Sequence, residues 1–101
     1  MTTYGDLSTV GIGTRVIFVG DVGINYHPDT GEHEFMIPNG TIMFVVENVL
    51  LEPTETIELR PEDSDFYRKI VNEFSPTGTI RLGPDSNGAS GRAETAPVDI
   101  I

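Results

Sequence analysis

The chain has 101 residues, 38% of them apolar, with five Phe, three Tyr and no Trp, a length that carries one domain around a modest core. Sixteen acidic against six basic residues give a net charge of −10, which argues against nucleic acid and anionic membranes as partners, because both attract Lys and Arg. There is no cysteine, so disulfides, Cys-ligated zinc, iron–sulfur clusters and thiol nucleophiles are excluded.

Residues 1–10 are polar, with Tyr4, Leu7 and Val10 as isolated apolar positions, and read as an N-terminal arm. Residues 1–6 show neither a basic nor an apolar signal region, so no export signal is expected and synthesis is expected to leave the protein in the cytoplasm. Residues 11–83 hold nearly all the remaining bulky apolar side chains and read as one β-rich domain. Arg15-Val16-Ile17-Phe18-Val19 is β-branched and aromatic and predicts a strand closed by Gly20-Asp21. Next, Val22, Ile24 and Tyr26 alternate with Gly23, Asn25 and His27, and His33, Phe35 and Ile37 alternate with Glu32, Glu34 and Met36. Pro28-Asp29-Thr30-Gly31 lies between the two runs. Pro presets φ, Asp caps the turn and Gly supplies the left-handed position, which predicts a hairpin over 22–37.

Residues 42–51 are apolar at both parities until Glu47 and predict the most buried strand, far too short to span a bilayer as a helix. Glu55-Thr56-Ile57-Glu58-Leu59 alternates like a half-exposed strand. Phe66, Ile70 and Phe74 recur every four residues and predict a helix near 62–74, capped by Asp63 or Ser64 and ended by Pro76. Thr79-Ile80-Arg81-Leu82 closes the domain as a short strand. The expected core is Val16, Phe18, Ile24, Phe35, Ile42, Phe44, Val46, Ile57, Phe66, Ile70 and Leu82. Residues 84–101 read as a flexible C-terminal arm. Positions 84–97 carry no large apolar side chain and cannot offset the entropy of ordering alone, whereas Val98-Asp99-Ile100-Ile101 turns apolar again.

Few motifs carry chemistry. Gly11-Ile12-Gly13 lacks the third glycine of a dinucleotide fingerprint and precedes a strand, where phosphate binding needs a helix N-terminus. Asp29-Thr30-Gly31 resembles the Asp-Thr-Gly of retroviral-type aspartic proteases. That resemblance implies a dimer in which Asp29 shares one proton with its mate. The flanking His27-Pro28 and Glu32 depart from the family's apolar surroundings, and the motif is fully accounted for as a hairpin turn. His27 and His33 sit among carboxylates. With a four-residue loop, His27 faces Glu32 and Tyr26 faces His33, so the two imidazoles point apart, and neither metal nor cofactor is expected. The serines fall at tail, cap or loop positions, so no nucleophilic triad is expected and the chain reads as a non-enzyme.

Gly13-Thr14-Arg15-Val16-Ile17-Phe18-Val19, a long hairpin, and Gly40-Thr41-Ile42-Met43-Phe44-Val45 together resemble the opening of small SH3-like barrels, over residues 11–51. The fold class expected is mainly β: an SH3-like barrel, or a β-roll or sandwich, with one short helix and extended terminal arms. In overall type the chain also resembles capsid decoration and adaptor proteins of tailed-phage particles, which are short, acidic, cysteine-free and β-rich. That resemblance implies a structural protein of a virion that binds neighbouring protein subunits as a homo-oligomer or lattice. Period two puts Val98 and Ile100 on one side of an extended strand and Ile101 on the other, and these three are the expected partner-binding residues. The first alternative is a monomeric peptide-binding module with an aromatic groove around Tyr26, Phe35 and Tyr67, and the second is the retroviral-type aspartic protease that the resemblance at Asp29-Thr30-Gly31 implies.

Overall fold

A computed structural model describes residues 2–51, 54–83 and 95–101. The elements run α1 (Tyr4–Ser8), β1 (Arg15–Phe18), β2 (Val22–His27), β3 (Glu32–Ile37), β4 (Ile42–Leu51), β5 (Thr54–Pro61), α2 (Ser64–Glu73), β6 (Ile80–Leu82) and β7 (Val98–Ile100). Five strands form one sheet in the order β6-β5-β4-β1-β7, and β2 with β3 forms a separate two-stranded hairpin. Every pairing is antiparallel. The larger sheet curls into a half-barrel, so the protein is a small, mainly β barrel or roll.

The inner row of that sheet is continuous. Val16, Phe18, Met43, Val45, Ile57, Leu59, Ile80, Leu82 and Val98 are each no more than 1% exposed. From the hairpin, Val22, Ile24, Phe35 and Ile37 enter the same core. α2 lays Ile70 into it, and Phe66 and Phe74 pack half-buried against the Phe35 ring at centroid separations of 5.9 and 5.4 Å. Asp63 caps α2 by accepting from the Phe66 N–H at 3.0 Å.

Three expectations are corrected. The core face of β4 is Met43 and Val45, while Ile42, Phe44 and Val46 are half-buried. A run that is apolar at both parities carries no phase of its own. The register against Val16 and Leu59 sets it, and a bulge between Val45 and Glu47 then shifts the remainder of the strand.

The N-terminal segment is no arm. Thr3 and Asp6 form a reciprocal capping box, with both hydrogen bonds at 3.0 Å, and the single turn of α1 buries Tyr4 and Leu7. Hydrogen bonding from Thr3, its backbone N–H first and its side chain second, also holds the Asp6 carboxyl below its ordinary range. Nor are residues 95–101 an arm: they run back along β1 and put Val98 in the core. Residues 84–94, the greater part of the expected flexible segment, lie outside the described residues. The two ends of the chain also meet, through a bridge between Thr3 and Thr95 and an Ala96 N–H donated to the Thr2 carbonyl at 3.0 Å.

Two close approaches fix the corners. Gly78 has φ +72°, and the Tyr67 ring fills the space its Cβ would need. The Arg60 guanidinium lies over that same ring, 4.3 Å from its centroid. At the β3–β4 corner the Asn39 Oδ1 accepts from the Gly20 N–H at 2.8 Å, and the Asn39 N–H is donated to Asp21 Oδ1 at 2.8 Å. Gly40, at φ +84°, donates its N–H to the Phe18 carbonyl at 2.9 Å.

Candidate functional site

Of the expected contact residues, Val98 and Ile100 lie on β7, an edge strand of the larger sheet, and Ile101 directly follows it. Its register on β1 pairs Val16 with Ile100, Ile17 with Asp99 and Phe18 with Val98. At its two ends the Val19 N–H reaches the Pro97 carbonyl at 2.9 Å and the Ile101 N–H reaches the Arg15 carbonyl at 3.1 Å. The odd-numbered residues therefore turn their backbone groups toward β1, and Val98 and Ile100 turn theirs outward.

This outward row is treated differently along its length. At Ala96 the N–H is taken by Thr2, and the Thr2 hydroxyl donates to Asp99 Oδ1 at 3.4 Å. At the Ile100 end no described residue forms a backbone bond to that edge. The side chains divide in the same way. Val98 is 1% exposed and packs on the Phe18 side of the sheet, so it cannot contact a partner. Ile100 and Ile101 stand 43% and 59% exposed. The structure thus keeps two of the three expected contact residues at the surface and moves the third into the core. The reason is proximity: β1 offers an open edge within the same chain, and intramolecular closure costs less entropy than capture of a neighbour.

The hairpin motifs resolve into a turn. The Thr30 and Gly31 N–H groups both reach the His27 carbonyl, at 3.2 and 2.8 Å, and Gly31 takes φ +72°. Asp29 sits exposed at that tip. His27 pairs with Glu32 and Tyr26 with His33, as the four-residue loop requires. One detail departs from simple alternation. Asn25 has φ +54°, the Asn25–Glu34 pair drops out of the ladder, and the His33 ring lies over Gly23, filling the space of its missing Cβ, when alternation had put it on the face of Phe35. Among the described residues no group of three or more His, Asp or Glu side chains is placed to hold a metal ion.

Two of the three aromatic residues expected around a groove are engaged elsewhere. Phe35 is buried in the ring stack with Phe66 and Phe74, and Tyr67 is committed to Gly78 and Arg60. Sequence reasoning missed the role of Thr2 and Thr3 as a partial cover for β7. The available signal was the Thr3-x-x-Asp6 spacing before Leu7, a capping-box pattern at the start of an apolar turn. Among the described residues no helix is long and apolar enough to cross a membrane. No protein-family model matches the chain, and no curated protein or solved structure matches it either.

Proposed function

We propose that the protein is a non-enzymatic assembly protein, an accessory of a virion-type particle, that binds neighbouring protein subunits through the outer edge of β7. The observation that carries this reading is the coincidence, at one end of one strand, of an outward-facing backbone at Ile100 with the exposed side chains of Ile100 and Ile101. An edge that no described residue covers and that also shows apolar side chains is a template for strand addition. Small size, acidity and the lack of cysteine accord with the decoration and adaptor type.

Ile100→Pro tests it. Proline removes the outward N–H and the exposed isoleucine side chain together and is tolerated on an edge strand, so the ladder to β1 survives. Light scattering of the wild-type chain is expected to show a mass that rises with concentration, and the variant is expected to stay monomeric with an unchanged melting temperature. A wild-type chain that remains monomeric throughout overturns the self-assembling form of the reading. A variant that assembles like wild type removes the β7 edge from it.

A further inference from the structure

A second surface, remote in sequence from β7 and independent of the assembly reading, has the features of a binding cleft. It lies between the hairpin, the end of α2 and strands β5 and β6, with a volume of about 460 Å³, within the range of sites that hold small ligands or single side chains. Ile24 and Phe74 supply its apolar wall, and Glu34, Glu58 and Arg81 are its charged groups.

Its polar lining has a direction. Ser75, Thr77 and Thr79 form a row of hydroxyls linked at 2.8 and 2.8 Å, and Thr79 donates to Glu58 Oε1 at 2.9 Å. A hydroxyl has one proton. Thr79 spends its proton on Glu58, so it must accept from Thr77. Thr77 in turn must accept from Ser75. Every proton in the row therefore points toward Glu58, and what the row shows to the cleft is lone pairs. Across the cleft the Asn25 amide donates to Glu34 Oε2 at 2.8 Å, which leaves that carboxylate's other lone pairs available. Asn25 holds this position from a left-handed backbone inside a strand, the one non-glycine residue with positive φ among those described. Strain of that kind concentrates where a side chain must be aimed. Among the described residues no basic side chain lies within ion-pair distance of Glu34 or Glu58.

The geometry points to an arginine side chain of a partner peptide as the occupant. A guanidinium has five donors and no acceptor, the complement of a wall of lone pairs and two carboxylates. Its alkyl stem lies along Ile24, and its plane stacks on the Phe74 ring. The net charge of −10 favours the approach of a cation. Arg81, which also lines the cleft and is the cross-strand neighbour of Glu58, opposes it and sets a limit on affinity.

The test is an amide-resolved NMR titration of the full chain with Nα-acetyl-arginine methylamide, alongside the citrulline analogue, which has nearly the same shape and no charge. Arginine is expected to shift residues 24–25, 34, 58 and 74–81, and citrulline to leave them in place. Glu58→Gln is expected to weaken binding about tenfold, the effect of losing one charge-assisted hydrogen bond. Glu34→Gln, at an exposed hairpin position, gives the same reading should the first variant disturb the hydroxyl row. Arg81→Ala is expected to tighten binding, because a like charge leaves the rim. Equal shifts with citrulline, weaker binding in Arg81→Ala, wild-type affinity in both glutamate variants, or shifts confined to other residues would overturn the proposal. Failure of the β7 edge experiment leaves it untouched.

Discussion

The β2–β3 hairpin and the two chain ends are opposite cases. The hairpin carries its instructions within sixteen residues, 22–37: an alternating strand, Pro-Asp-Thr-Gly, and a second alternating strand. Its register follows from the turn alone. The chain ends carry few apolar residues each, and neither can bury them locally. They fold because each supplies what the other lacks. Tyr4 and Leu7 from one end and Val98 from the other enter the same core, while Thr2 and Thr3 bond to Thr95 and Ala96 across almost the whole length of the chain. A segment that looks too polar to order itself is ordered when an edge already exists to receive it, since the backbone bonds come from the receiving strand and the apolar contribution needed is small.

The sharpest way to break this comparison is to delete residues 95–101. If the ends are structural, the loss of Val98 and of the β1–β7 ladder costs on the order of 3–5 kcal/mol. For a domain of this size that lowers the melting temperature by roughly 15 °C. An unchanged melt in calorimetry would show that the segment is a passive tail after all. Next in size is Leu7→Ala. Leu7 is 0% exposed, and such truncations cost about 2–5 kcal/mol in urea unfolding. An arm residue would cost nothing.

Tyr4 gives a third measurement, one that depends on pH. Burial pushes its phenol from 10.0 up to about 12, and among the described residues its hydroxyl has no hydrogen-bond partner. Below pH 10 the group is neutral in both folded and unfolded chains. As pH rises from 10 to 12 the unfolded chain loses the proton first, so stability falls, by about 2–3 kcal/mol at the upper end. Tyr4→Phe is expected to flatten that part of the alkaline profile. At neutral pH it is expected to leave stability equal or raised by about 1 kcal/mol, because it removes an unsatisfied polar atom. A variant that loses stability at neutral pH would mean that the hydroxyl has a partner.

The smallest effects set the local signals of the two regions side by side. Thr3→Ala removes the capping oxygen of α1, and Gly31→Ala forces a side chain into φ +72° at the hairpin tip. Each is expected to cost about 1 kcal/mol. Chemical unfolding that places either value above that of Leu7→Ala would reverse the weights of local and long-range terms.

Legibility follows the same division. The hairpin, the helix, its cap to within the pair Asp63 and Ser64, and the short last strand of the expected domain could all be read, because turn chemistry and a four-residue spacing are local. The phase of β4 could not: Ile42-Met43-Phe44-Val45-Val46 is apolar at every position, and only pairing with β1 and β5 chooses Met43 and Val45. For the candidate site, the apolar end of the chain marked Ile100 and Ile101, and alternation placed Ile101 opposite Val98 and Ile100. That β1 of the same chain would take Val98 depended on the identity of the sheet's edge, which is a property of topology. The hydroxyl row at Ser75, Thr77 and Thr79 was visible only as turn residues. Its orientation depends on Glu58, which arrives from another strand.

The Asn39–Gly40 corner has a consequence for chemical ageing. Asparagine before glycine is prone to deamidation, in which the glycine nitrogen attacks the asparagine side-chain carbonyl and closes a five-membered imide. Here the two reacting groups are engaged elsewhere: the Gly40 N–H on the Phe18 carbonyl and the Asn39 Oδ1 on the Gly20 N–H. The corner must open before the ring can close, so the rate at which aged samples gain mass at Asn39 reports the opening frequency of this part of the molecule. Any treatment that loosens β1 from β4 will leave its mark there as a covalent record.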